Sequence, residues 1–316
     1  PELARLHAEG VGGLFFFTGM ADPGDSRTVI GTLGQGGLSL PDRDYYFKSD
    51  SASQHVRREF TGHVARALEL VGTTPADAAA QAQTVLRIET ALAQASMTRV
   101  QMRDPNATYH KMPLADLPKL CPGFDWSGYL LAAGVARLEQ VNVRQPGFFT
   151  ALDSTLAAVP MADWKAYLRW QVVRTAMPAL SSPFVQEDFR FARVLSGAKE
   201  MLPRWRRCLE ATDRSLGEAL GREYVDAYFT PVTKARVLEL VKNLKAAFRD
   251  HIEGLEWMSD ATKARALAKL DAMAVKIGWP DRWRDYSDLR LEHDSYFANL
   301  ARANRFERAW RLGKIG

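Results

Sequence analysis

Six histidines, two cysteines and one serine–lysine pair are the side chains of this sequence best suited to chemistry. His7, His55, His63, His110, His251 and His293 never fall into His-Glu-x-x-His, the spacing that sets two imidazoles on one helical face around zinc. His55, Glu59 and His63 recur at four-residue steps and share a helix face. The outer two nevertheless lie about 12 Å apart along a helix axis, too far for one ion held about 2 Å from each ligand. A polar surface stripe is the plainer reading. Ser196-Gly197-Ala198-Lys199 has the Ser-x-x-Lys spacing of an acyl-transfer nucleophile and its lysine. Neither Lys-Thr-Gly nor Ser-Asp-Asn accompanies it, so the match reads as chance. Gly31 to Gly37 carries several glycines without Gly-x-Gly-x-x-Gly opening a helix, which argues against a phosphate cradle. Asn106-Ala107-Thr108 is a glycosylation sequon, meaningful only in a eukaryotic secreted protein. Cys121 and Cys208 cannot build a zinc knuckle by themselves. No catalytic, cofactor-binding or metal-ligating residue is therefore assigned.

The remaining composition bounds the class. The 316 residues are 47% apolar and 25% charged, ordinary globular usage for one large domain or two. The net charge of +5 is spread among nearly as many acids as bases. The densest cluster, Arg204-Trp205-Arg206-Arg207, is one helical turn and reads as a solvated face, so no nucleic-acid partner is expected. No stretch approaches the ~18 apolar residues of a membrane span. The opening Pro1-Glu2-Leu3-Ala4 lacks an initiator Met and an apolar signal region, which suggests an interior piece of something longer.

The elements that must position these residues are mostly helical. Leu14 to Thr18 and Thr28 to Leu33 are apolar and β-rich, and Asp22-Pro23-Gly24-Asp25 between them is turn chemistry, so a hairpin is expected. From Ser51 the period changes to that of a helix, with Val56, Phe60, Val64, Leu68 and Val71 on one face and Gly72 ending it. Thr74-Pro75-Ala76-Asp77 starts the next helix with a cap and a first-turn proline. The segment around Pro105 and from Pro113 to Pro122 reads as a broken, Pro-rich loop. Later helices are predicted from Trp164 to Met177 and from Pro203 to Phe229, the latter with Trp205, Leu209, Leu216, Leu220, Tyr224 and Tyr228 as an apolar stripe. Another starts at Thr230-Pro231 and runs through Val241 to Ile252. The next opens at Ser259, with Leu267, Leu270, Ala274 and Ile277 as its stripe and Gly278 as its stop. A last helix spans about Asp294 to Trp310. The fold class is mainly α, a multi-helix lobe with a small β-hairpin near the N-terminus.

Several segments, in order, resemble the M13 (neprilysin and endothelin-converting-enzyme) metalloendopeptidases, above all their bacterial oligopeptidase members. They are Gln35-Gly36-Gly37-Leu38-Ser39-Leu40-Pro41-Asp42-Arg43-Asp44-Tyr45-Tyr46, then Leu195-Ser196-Gly197 leading to Glu200 and Pro203 to Cys208. Gly221-Arg222-Glu223-Tyr224-Val225, Trp257-Met258 with Thr262 to Leu270, and Lys276-Ile277-Gly278-Trp279-Pro280-Asp281 follow. Trp279 stands where the family usually has Tyr.

The resemblance implies a helical lobe closing over a lobe that carries zinc. Residues 1–50 would be a hairpin and loop, 51–290 the substrate-enclosing helical lobe, and 291–316 a connecting helix toward the catalytic lobe. Zinc, its ligands and the general base would then lie outside this chain, beyond Gly316. The implied activity is zinc-dependent hydrolysis of oligopeptides in a closed cavity. The implied partners are a peptide substrate and the catalytic lobe, which could be a separate chain. Asp42 to Tyr46 and Arg103-Asp104 are candidate lobe-junction positions, with turn caps and ion pairs as their plainer reading. The family also implies a bacterial protein that is exported, periplasmic or extracellular, with a cytoplasmic one as the alternative. The competing class is a non-catalytic helical module that binds peptides or a partner. A lobe parted from its other half should expose a large apolar face.

Overall fold

A computed structural model describes residues 1–316 except residue 136. It divides into two compact units, Pro1–Leu202 with Leu289–Gly316, and Pro203–Asp288.

The first unit opens with helix α1 (Glu2–Ala8) and the strands β1 (Phe15–Asp22) and β2 (Asp25–Gln35), which form the expected hairpin in antiparallel register from Phe15↔Gln35 to Asp22↔Asp25. The hairpin is longer than Leu14–Thr18 and Thr28–Leu33, because both strands run up to the Pro23-Gly24 turn, where Asp22 Oδ1 accepts from the Gly24 N–H. Helices α2 (Ser51–Leu70) and α3 (Pro75–Ala95) are capped by Asp50 and Thr74, whose side chains accept the Ser53 and Asp77 amides. Gly72 adopts φ +88° and ends the first of them, a conformation open to glycine at little cost.

The Pro-rich stretch holds what periodicity overlooks. Strand β3 (Lys111–Pro113) and, after the short helices α4 (Leu117–Leu120) and α5 (Trp126–Ala132), strand β4 (Gln140–Val143) complete a four-stranded sheet of order β1-β2-β4-β3. β4 lies parallel to β2, pairing Gly31↔Val141 and Leu33↔Val143. The expected single β element is thus half of a mixed sheet. Three- and four-residue strands are too short to show alternation, and their partner is remote in sequence.

Helices α6 (Pro146–Ala158), α7 (Met161–Ala176) and α8 (Ser182–Ser196) complete this unit together with the final helix α12 (Tyr296–Leu312). One core surrounds the sheet, where Phe15, Phe17, Tyr129, Val141, Phe148 and Phe149 are buried. A second lies among α2, α3, α7 and α8, around Phe60, Leu68, Val85, Trp170 and Met177. Burying each large side chain contributes about 2–3 kcal/mol. α12 is fastened to the N-terminal region: Asn304 donates to the Glu9 carbonyl at 2.9 Å and Arg308 to the Phe17 carbonyl at 3.1 Å.

The second unit consists of α9 (Arg204–Tyr228), α10 (Pro231–Gly254) and α11 (Asp260–Asp271). Two expectations change here. α9 is not one continuous helix, since Leu216 leaves helical geometry at φ −136° just before Gly217, a residue type at which helices commonly kink. α11 stops at Asp271, seven residues before Gly278, so Ala274 and Ile277 lie in irregular chain. Lys245 donates to the Met273 carbonyl just beyond that end, and Arg249 pairs with Asp271, holding the end of α11 against α10.

Candidate functional site

The segment Gln35–Tyr46 follows β2 and is held by side chains reaching in from α3 and α7. The Gln35 amide clasps Met97, donating to its carbonyl at 3.1 Å and accepting its N–H at 2.7 Å. At Gly37, φ is +80°, and a Cβ there would meet Tyr167 Oη at 2.6 Å and Leu92 at 2.8 Å. The absence of a side chain lets Tyr167 donate to the Gly37 carbonyl at 2.8 Å. The organising group is Glu89, fully enclosed on α3. Its carboxylate accepts from the Ser39 amide at 3.0 Å, the Ser39 hydroxyl at 2.6 Å, the Tyr46 hydroxyl at 2.6 Å and the Gln171 amide at 3.1 Å. Burial pushes its pKa up while these donors pull it down, and burial prevails. Trp170 and Arg174 extend the network by donating to Ser39 Oγ and to the Leu38 and Ser39 carbonyls.

A second polar cluster lies beside it. His63 on α2 is buried, stacked on Phe191 at 4.7 Å and edge-on to Trp170 at 5.4 Å. Its Nδ1–H donates to Glu187 on α8 at 2.9 Å, and Arg66 pairs with the same carboxylate oxygen at 2.9 Å. Burial raises the Glu187 pKa, but these two partners outweigh it and hold the group below its ordinary value. The proposed surface stripe of His55, Glu59 and His63 is therefore corrected. His55 is exposed and Glu59 half-buried, whereas His63 faces the core. At 3.6 residues per turn, eight residues carry the helix about 80° past two full circles, and packing of α8 on α2 captures only the third member.

Between α7 and α8 opens a crevice of about 380 Å³, walled by Phe60, Trp170, Phe191 and Leu195, with Asp188, Arg174 and His63 as its ionisable lining. Burial raises the Asp188 pKa, opposed by the charges of His63 and Arg174.

The other sequence candidates take structural posts. Ser196 Oγ donates to the Ala192 carbonyl at the end of α8, where Gly197 is the left-handed cap. Gly31 and Gly34 lie within β2, with no helix opening after the glycine run. Asp42 caps a turn by accepting the Asp44 amide and pairs with Arg99 at 2.7 Å, while Asp104 accepts the Asn106 amide. Asn106 and the Arg204–Arg206 side chains are exposed; Cys121 is buried and Cys208 exposed. His7 bonds to Tyr129 at 2.8 Å. Among the described residues no three His, Cys, Asp or Glu side chains gather where they could hold a metal ion. Among those residues the zinc implied by the resemblance finds no fitting donor set. Among the same residues, no helix is long and apolar enough to cross a membrane.

A small mixed sheet and helices clasped around a buried carboxylate define a mainly helical fold. The family model for Peptidase family M13 matches residues 2–280, and the chain belongs to that family, in its N-terminal region. Endothelin-converting enzyme 1 of Homo sapiens is 29% identical over 305 residues, covering 92% of this chain and 39% of the human protein. Endothelin-converting enzyme-like 1 of Mus musculus is 30% identical over 96% of this chain and 40% of its own length. Among solved structures, the zinc metalloprotease Zmp1 of Mycobacterium tuberculosis in complex with inhibitor superposes with a TM-score of 0.92 at 35% identity. That match covers 99% of this chain and 47% of the other. PepO from Lactobacillus rhamnosis shares the fold, with a TM-score of 0.87 at 22% identity over 99% of this chain and 50% of the other. The chain spans about two fifths of the length of these curated relatives.

Proposed function

We propose that this chain is the helical, substrate-enclosing part of a zinc-dependent endopeptidase that hydrolyses oligopeptides within a closed cavity. The observation that carries the reading is the match to peptidase family M13 over residues 2–280, joined to superposition of 99% of the chain on a zinc metalloprotease. The zinc, its ligands and the general base belong to a further part of the same enzyme, because no side-chain set described here fits the metal. Residues 51–290 wall the chamber and 291–316 lead toward the catalytic region. The role of this chain is exclusion: a rigid wall admits flexible peptides and turns folded proteins away. The chamber belongs to an exported bacterial enzyme in this reading.

The apolar face of the second unit supports a partner. The expected stripe of α9 is largely uncovered, with Trp205 63% and Tyr228 75% exposed, and Phe248 on α10 is 52% exposed. Such side chains are normally covered in the working assembly.

Co-expression with the polypeptide that carries His-Glu-x-x-His provides the test. The paired preparation should cleave a fluorogenic oligopeptide, contain about one zinc per complex and lose activity to a chelator. The present chain alone should do none of these. Hydrolysis or stoichiometric zinc binding by the chain alone would overturn the proposal, and failure of the paired sample to cleave peptides would favour the non-catalytic binding module.

A further inference from the structure

The last helix of the first unit is fastened to the first helix more by polar bonds than by a core. The buried side chains of α12 are Ala301 and Ala303, with Phe306 and Leu312 half-buried, so apolar area adds modestly to its hold. Arg305 and Arg308, three residues apart and therefore on one helix face, both reach toward the end of α1. Arg305 pairs with Glu9 at 2.7 Å, and Asn304 donates to the carbonyl of the same residue at 2.9 Å. Arg308 donates to the Phe17 carbonyl at 3.1 Å and to the Tyr129 hydroxyl at 3.4 Å. Tyr129 in turn donates to His7 Nδ1 at 2.8 Å, while the His7 Nε2–H reaches the Gly13 carbonyl at 3.4 Å. A relay thus runs from Arg308 through Tyr129 to His7, and it holds in this sense only while Nδ1 keeps its lone pair.

Acid acts on both halves of this contact in the same direction. A proton on Glu9 removes the negative partner of Arg305. A proton on His7 Nδ1 sets two donors against each other and places an imidazolium and a guanidinium on either side of one hydroxyl. The imidazole lies edge-on to Phe15 at 5.5 Å and to Tyr129 at 5.7 Å, rings that keep water from screening the two charges. The groups that face His7 offer no compensation: Arg308 from α12, Tyr129 from α5 and the uncharged Phe15 from β1. On α1 itself, Glu9 is committed to Arg5 and Arg305. Removal from water, and then the charge of Arg308, accordingly lower the His7 pKa to about 4. Separation of α12 withdraws that charge and admits water, so proton uptake and opening favour one another.

We propose that the contact between α1 and α12 is an acid-released latch, in which proton uptake at His7 and Glu9 frees the last helix while the remainder of the first unit stays folded. The latch involves only this unit, and its test does not depend on the proposed peptidase role.

Hydrogen–deuterium exchange of the 316-residue chain, corrected for the intrinsic effect of pH on exchange, tests it. From pH 7.5 to 4.5 the opening constant of residues 296–312 should rise by about tenfold to fiftyfold, the range set by a His7 pKa that returns toward its ordinary value on opening. Residues 75–95 of α3, in the same unit, should keep their protection. His7→Asn, which cannot take up the proton, should reduce the rise to a few-fold, and adding Glu9→Gln should flatten it. Equal protection of 296–312 at both pH values, or a parallel loss in 75–95, would overturn the latch, and neither comparison needs a variant. An undiminished rise in His7→Asn would overturn it as well.

Discussion

A carboxylate sealed from water and met by four donors, as at Glu89, concentrates much of the local stability in one side chain. Truncating it leaves the Ser39, Tyr46 and Gln171 donors buried without an acceptor. Glu89→Ala should therefore cost roughly 3 kcal/mol or more in urea unfolding, with Glu89→Gln losing less because one carbonyl still accepts. His7 gives a pH signature. Tyr129 donates to its Nδ1 while its Nε2–H reaches the Gly13 carbonyl at 3.4 Å. Removal from water, and then the charge of Arg308, lower its pKa from 6.5 to about 4. The unfolded chain takes up this proton first as pH falls. The contribution is intact above about pH 6.5 and is lost between there and pH 4, up to about 3 kcal/mol. Melting midpoints at pH 7.5 and 4.5 should thus converge in His7→Asn relative to the parent chain; an unchanged pH response would refute the assignment.

At the scale of the element, helix starts are the most local events in the molecule. Thr230 Oγ1 accepts the Thr233 amide at 3.2 Å ahead of Pro231, satisfying a donor that α10 cannot use internally. Thr230→Ala should lower the stability of the second unit by about 1 kcal/mol, read by denaturant titration, with Thr230→Asn restoring most of it. Caps at Thr74, Thr230 and Ser259 were all legible beforehand because each needs only residues within one turn. Helix ends were less so. α11 stops at Asp271 although its apolar period continues, because Lys245 and Arg249 of α10 bind the chain there. Strands β3 and β4 escaped for a related reason: their alternation is too short to register, and β4 owes its place to parallel pairing with β2.

At the scale of the whole molecule, the second unit is conspicuous for what it leaves uncovered. Of its large apolar side chains, Trp205, Tyr228, Phe248 and Trp257 are more than half exposed, whereas the first unit encloses two extensive cores. Isolated, the chain should associate with increasing concentration and bind a hydrophobic dye, and Leu244→Asp with Phe248→Ser should diminish both without changing the circular dichroism spectrum. Sedimentation showing a dye-silent monomer at high concentration would contradict this.

The amino-acid order alone determined the helical class, the N-terminal hairpin, most caps and the family likeness carried by Gln35–Tyr46, since these depend on period, turn chemistry and local spacing. It could not reveal that the same Gln35–Tyr46 segment closes around Glu89, more than forty residues away, nor that His63 leaves the surface to meet Glu187. Those outcomes arise when distant helices compete for the same buried volume, where a polar group must find a partner or remain unneutralised.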